Sequence, residues 1–254
     1  MENFDIYISS NGYLVIPGSN IKYLINFSES NIPSMPEATE STVRVAGRDG
    51  DIVLNTTYEP MSFEIVCYTD DGLSQEEKVQ EEQKVNAFLN SIKNKTKTFA
   101  IEEAKKFYKV KYNGAVTTIN YPSHVQFTIP LKSSDSYAMD LKESSITGNG
   151  NKTSNTIEEV GAVFIINGPA QTPKISLNDY EMFFNNVLLE SHILEINSKN
   201  STVTHINTTT GEKTNVMKYY NHEFPKIKTG NNILKVLSGI TATQVTVKWH
   251  DLKL

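Results

Sequence analysis

Only one stretch of this chain, from Asp70 to Ile92, carries apolar residues at helical spacing. Almost everything else consists of short β-branched and aromatic runs cut by turn pairs such as Asn11-Gly12, Pro17-Gly18, Asn113-Gly114 and Asn167-Gly168. A chain punctuated in this way has to bury sheet faces, with one helix to cover a sheet. Ser74 and Glu77 form an S-x-x-E box that starts the helix by satisfying orphan N–H groups. Glu76, Glu77, Glu81 and Glu82 suit its positive end. Val79, Val85, Phe88, Leu89 and Ile92 give the stripe expected to pack inward.

The strands expected before that helix are Phe4 to Ile8, Tyr13 to Ile16, Ile21 to Phe27 and Met61 to Tyr68. In the last of these, Phe63, Ile65 and Cys67 share one face. Thr98 to Ile101, Phe107 to Tyr112, Ala115 to Ile119 and His124 to Leu131 follow the helix, with Asn113-Gly114 expected as a hairpin turn. Residues 132–155 are crowded with Ser and Gly and read as a linker or long surface loop. Beyond it, strands are expected at Ile157 to Ile166, Lys174 to Leu177, Val187 to Ile196, Thr202 to Ile206, Val216 to Tyr220, Ile233 to Leu237 and Gln244 to Trp249. The expected organisation is mainly β: a β-sandwich-like domain with one α-helix over residues 1–140, then an antiparallel β-sandwich over residues 141–254.

Thr42 to Leu54, TVRVAGRDGDIVL, is the most pointed local signal. Asp49-Gly50 between β-branched runs predicts a hairpin, because Gly tolerates positive φ and Asp tolerates the left-handed region. Arg44 and Arg48 are the only arginines in the chain. Arg favours bidentate pairing and interface ion pairs, so this hairpin is either an ordinary soluble turn or a contact surface.

Chemistry is harder to find. The five histidines are His124, His192, His205, His222 and His250, and none stands three or four residues from another. No H-E-x-x-H, G-x-S-x-G or phosphate-loop pattern occurs. Adjacent acids, Asp70-Asp71 and Glu102-Glu103, would face opposite sides of a strand. Neither catalytic, metal nor cofactor residues are therefore expected. Cys67 is the sole cysteine and reads as a small core residue, consistent with folding in a reducing cytoplasm. The sole tryptophan, Trp249, could stack on a sugar if exposed, but packing beneath the final strand is the simpler expectation. Residues 1–140 hold 19 acidic and 13 basic side chains, a net of −6, and residues 141–254 hold 10 and 11, a net of +1. Neither balance provides the basic face of a nucleic-acid binder. No apolar run approaches the ~20 residues of a membrane span.

The order of these pieces resembles a known family. It has the Gly47-Arg48-Asp49-Gly50 turn, the capped helix, Lys106-Phe107-Tyr108-Lys109-Val110, Val125 to Leu131 before Ser136-Tyr137, and finally Glu223-Phe224-Pro225-Lys226-Ile227-Lys228-Thr229-Gly230-Asn231-Asn232. Together they resemble the distal tail proteins of long-tailed, non-contractile bacteriophages and prophages. Ser136 and Ala46 stand where that family often has Pro. The resemblance implies a homo-hexameric ring built by the first domain, with a galectin-like second domain on its outside. It implies a non-enzymatic hub at the virion tail tip, made in the host bacterial cytoplasm. Such a hub joins the tail tube protein to the tail-associated or tip protein and can carry a receptor-binding protein. In that setting Arg44, Gly47, Arg48, Asp49 and Gly50 become candidate assembly residues. The alternatives are a carbohydrate-binding module or adhesin working through the second domain, with Trp249 stacking on glycan, and a tail-tip glycan hydrolase.

Overall fold

A computed structural model describes residues 4–45, 49–220 and 222–253. The chain divides into two compact units, one ending at Leu141 and one running from Lys142 to Lys253.

The first unit contains β1 (Ile6–Ile8), β2 (Tyr13–Ile16), β3 (Ile21–Ile25), β4 (Ala38–Arg44), β5 (Asp51–Tyr58), β6 (Ser62–Tyr68), α1 (Gln75–Ile92), β7 (Lys97–Ile101), β8 (Lys106–Tyr112), β9 (Thr117–Asn120), β10 (Val125–Ser133) and β11 (Ala138–Asp140). Pairing runs β8–β7–β1–β2–β3–β6–β10 and returns from β10 to β8, so the sheet closes on itself as a barrel. Closure leaves none of these seven strands with a bare edge. The β1–β7 pair is parallel, and the other pairs in the ring are antiparallel. Alternation along the strands fills the inside. Phe63, Ile65 and Cys67 of β6 stand opposite Leu131, Ile129 and Phe127 of β10, and all six are buried. Phe63 also meets the rings of Phe99 and Tyr108 at 5.3 and 5.0 Å.

Asn113-Gly114 does not turn a hairpin between β8 and β9. The two strands lie on the same side of β10, β9 against its first half and β8 against its last residues. The step between them falls at Pro130, which lacks an N–H and so could not complete a continuous ladder there. The Pro130 carbonyl instead accepts the Asn113 N–H at 3.2 Å, and Gly114 passes the proline ring at φ +118°.

The capping box forms as the sequence suggests: the Glu77 carboxylate accepts the Ser74 N–H at 2.8 Å, and Ser74 Oγ accepts the Glu77 N–H. The inward stripe differs by one residue. Val85, Leu89 and Ile92 are buried, whereas Val79 is 43 % exposed. Lys78 takes the inward position two turns before Val85. Its ammonium donates to the carbonyls of Tyr121 at 2.6 Å and Pro122 at 2.7 Å. A charged residue there was invisible to an apolar count, because its partners are backbone atoms supplied by a distant loop.

The segment 132–155 is not a linker. It holds the end of β10, all of β11 and the paired strands Ser144–Thr147 and Gly150–Ser154. Backbone pairing, rather than apolar alternation, orders these Ser- and Gly-rich strands. In the second unit, one antiparallel sheet takes the strands in the order Ser144–Thr147, Val245–Trp249, Val163–Asn167, His192–Asn197, Thr202–Asn207, Lys213–Asn215. A second takes Gly150–Ser154, Gly230–Ser238, Lys174–Leu177, Tyr180–Phe183. Both face a common core that includes Phe164, Ile175, Leu194, Leu234 and Val247. Val216 to Tyr220 is not a strand but a short 3₁₀ turn at Met217–Tyr219.

Candidate assembly interface

The hairpin singled out in the sequence forms a ribbon of its own. β4 and β5 pair only with each other, in register from Ala38 against Tyr58 to Arg44 against Asp51, with a bulge beside Ser41. Every residue of β4 is exposed, and β5 is exposed but for partial cover of Ile52 and Tyr58. The half next to the barrel is polar, with Thr39 against Thr57, Glu40 against Thr56 and Ser41 against Asn55. The distal half is not. Val43 stands opposite Ile52, so both lie on one face, and Val45 and Leu54 follow at two-residue spacing. Val43 is 42 % and Leu54 65 % exposed.

Of the site residues expected from sequence, Arg44 lies on this ribbon, cross-strand from Asp51. Asp49 and Gly50 are exposed beside it, and Gly50 has φ +83°, which makes its glycine a backbone requirement of the turn. Gly47 and Arg48 lie outside the described residues. The apolar face of Val43, Val45, Ile52 and Leu54 went unrecognised in the sequence, because the same alternation describes a core hairpin.

The other candidates resolve differently. Trp249 is 3 % exposed, and its indole N–H donates to Asp251 Oδ1 at 2.8 Å, so no face is open to a sugar. Asp251 also accepts from Ser154 Oγ, tying together strands from both sheets of the second unit. Cys67 is fully buried, and burial pushes its thiol up to about 12, which keeps it protonated and inert. Asp71, Ser123 and His124 do meet: Asp71 Oδ1 lies 3.2 Å from His124 Nδ1 and 3.1 Å from Ser123 Oγ, and Ser123 Oγ lies 3.1 Å from the same Nδ1. A nucleophile relay needs the serine and the carboxylate on opposite ring nitrogens, and here both use one. Among the described residues no group of three or more His, Cys, Asp or Glu is placed to hold a metal ion. No described helix is long and apolar enough to cross a membrane.

Known proteins bear on this geometry. Residues 16–133, which include the ribbon and the barrel from the last residue of β2 onward, match the family model described as a phage tail protein RIFT-related domain. No curated protein matches the chain. Among solved structures, the SPP1 Dit protein, called a paradigm of the hub adsorption apparatus in phages infecting Gram-positive bacteria, superposes with a TM-score of 0.64 at 10 % identity. That match covers 91 % of this chain and 94 % of the SPP1 protein. A chain of the phage P2 baseplate in its activated conformation with Ca matches at 0.58 and 12 % identity, over 97 % of this chain and 95 % of the other. The same baseplate with Sr gives 0.56 and 11 %, over 98 % and 96 %. Residues 16–133 thus carry the match to the phage tail RIFT-related domain, on a chain whose fold resembles that of the SPP1 Dit protein over 91 % of its length.

Proposed function

We infer that this chain is a structural hub of a phage tail tip, in which six copies close a ring through their first units. The ring joins the tail tube protein on one side to tail-associated or tip proteins on the other, with room for a receptor-binding protein at its edge. The chain is made in the host bacterial cytoplasm and catalyses no reaction. The observation that carries the reading is the β4–β5 ribbon, which holds an apolar face outside the barrel of its own unit. An isolated two-stranded ribbon is marginal in water, so its ordered form gains from a partner surface. A closed ring needs a heterologous contact, one patch of a subunit against a different patch of the next, and a projecting ribbon supplies one half of such a contact. Arg44 and Arg48 would add charge pairing that fixes register on the net-negative first unit of the neighbour. The galectin-like character of the second unit belongs to the same reading.

Native mass spectrometry of the full chain tests it. The expected result is a six-subunit species that dissociates in the double variant Val43→Asp, Leu54→Asp while each subunit stays folded. A chain that remains strictly monomeric at high concentration sinks the reading. The double variant Arg44→Ala, Arg48→Ala should weaken the same species in a salt-dependent way, since exposed charge pairs are screened.

A further inference from the structure

The second unit contains an open cavity of about 440 Å³ lined by the 223–228 segment, the turn at Leu177 to Tyr180 and Glu159. Buried Leu177 and Pro225 form part of its lining, with the half-buried rings of Tyr180 and Phe224 beside them. Glu159, Asp179, Glu223, Lys226 and Lys228 also line it, all exposed. Among the described residues none of these five charged groups takes part in an ion pair or a side-chain hydrogen bond.

The backbone behind this lining is tied down. Asn232 is fully buried; its Oδ1 accepts the Lys228 N–H at 3.0 Å, and its Nδ2 donates to the carbonyls of Lys228 at 2.7 Å and Gly230 at 3.1 Å. Asn178 Nδ2 reaches the same Oδ1 at 3.2 Å, which links the turn before Tyr180 to the 228–232 loop. Tyr180 Oη accepts the Glu223 N–H at 2.7 Å, and Tyr220 Oη donates to the Glu223 carbonyl at 2.8 Å. The G-N-N end of the stretch is thereby explained by folding. The rings of Tyr180 and Phe224 pack partly on the core, but the five charged side chains around the cavity serve no ion pair or side-chain hydrogen bond of the fold among the described residues.

We propose that this cavity is a binding site for a neutral saccharide. The size falls within the range of small-molecule sites, and the walls are held in place before a ligand arrives, so little ordering cost attends binding. Aromatic rings beside the cavity offer apolar faces to the C–H face of a pyranose. The rim selects the class of ligand. A hydroxyl both donates and accepts, so it pairs equally with the three carboxylates and the two ammonium groups. An anion would meet Glu159, Asp179 and Glu223, and a cation would meet Lys226 and Lys228. The site stands apart from ring assembly, which depends on the other unit.

The test uses the full chain in saturation-transfer NMR. The neutral probes are maltotriose and N,N′-diacetylchitobiose, compared with the anionic disaccharide of galacturonate and with cationic glucosamine. At least one neutral probe should give a saturable response and bind more tightly than both charged probes. In the Asp179→Ala, Glu223→Ala variant the affinity should fall about tenfold or more, as expected for losing charge-assisted hydrogen bonds. Both side chains are exposed, so the thermal midpoint should be unchanged, and Tyr180 keeps its bond to the residue-223 backbone. The proposal is overturned by no saturable response from either neutral probe, by tighter binding of a charged probe, or by unchanged affinity in the folded double variant.

Discussion

β6–β10 and β4–β5 are alike as antiparallel strand pairs and opposite in fate. Each is an antiparallel pair with seven cross-strand partners. In β6–β10 the apolar residues run the whole length of one face, Phe63, Ile65 and Cys67 against Leu131, Ile129 and Phe127, and the closed barrel buries all of them. In β4–β5 the polar pairs occupy the barrel end and the apolar pair Val43–Ile52 the distal end. Apolar surface at that end cannot be covered by the strands that launch the ribbon. The same local pattern thus serves folding in one place and is left exposed in the other.

The sharpest way to break this contrast is to cut into both pairs. Phe63→Ala should lower the unfolding free energy by about 3–5 kcal/mol, because it removes a fully buried ring that touches Phe99 and Tyr108 and leaves a cavity. Urea unfolding of the two proteins under dilute conditions measures it; a loss below ~1 kcal/mol would mean the barrel interior can collapse around the gap. Next in size is Lys78→Ala. Its ammonium serves two carbonyls, so the change leaves both without a donor and should cost about 1–3 kcal/mol. Lys78→Met, which keeps the length of the stem, should recover little of that loss. A full recovery would assign the role of Lys78 to packing instead.

These effects also show what could be read from the sequence. The alternation of Met61 to Tyr68, the Ser74–Glu77 box and the two-part β organisation needed only local periodicity and capping chemistry. Closure of the barrel through β8–β10 did not, since it depends on a pairing between strands that are not neighbours in sequence. Lys78 and Asn232 were illegible for a related reason. Their burial is tolerated because backbone atoms from other segments meet them, and no spacing rule encodes that. The ribbon was found as a hairpin, but not as an exposed one, because exposure is a property of what fails to pack against it.

A smaller effect separates barrel and ribbon by pH. Asp5 sits where β1 meets β7, and its carboxylate accepts from Lys97 Nζ at 2.8 Å and from the Thr98 N–H and hydroxyl at 2.9 Å each. Partial burial acts to raise its pKa, but these donors outweigh burial and hold it below the ordinary value of 3.8. A carboxylate depressed in the folded state adds stability above its unfolded pKa, and that stability is lost as pH falls through the folded pKa. The contribution should therefore be complete at neutral pH and fade below 3.8. Comparing wild type with Asp5→Asn should show a stability gap of less than ~1 kcal/mol at pH 7, given the partial exposure, that closes toward pH 2. A gap that widens on acidification would contradict the assignment.

The smallest effect on folding should come from the ribbon, and it is the most informative. Replacing Val43 and Leu54 together by Thr retains β propensity and removes much of the exposed apolar face. Because neither side chain is buried in its own unit, unfolding of the dilute chain should shift by no more than ~0.5 kcal/mol. The proposed six-subunit species should nevertheless lose abundance in native mass spectra of the same sample. If stability fell by an amount comparable to Phe63→Ala, the distal ribbon would belong to the fold of its own unit after all. If neither stability nor assembly moved, the ring contact would have to lie elsewhere on the barrel. Only loss of assembly without loss of stability keeps the two strand pairs on the opposite sides of the comparison.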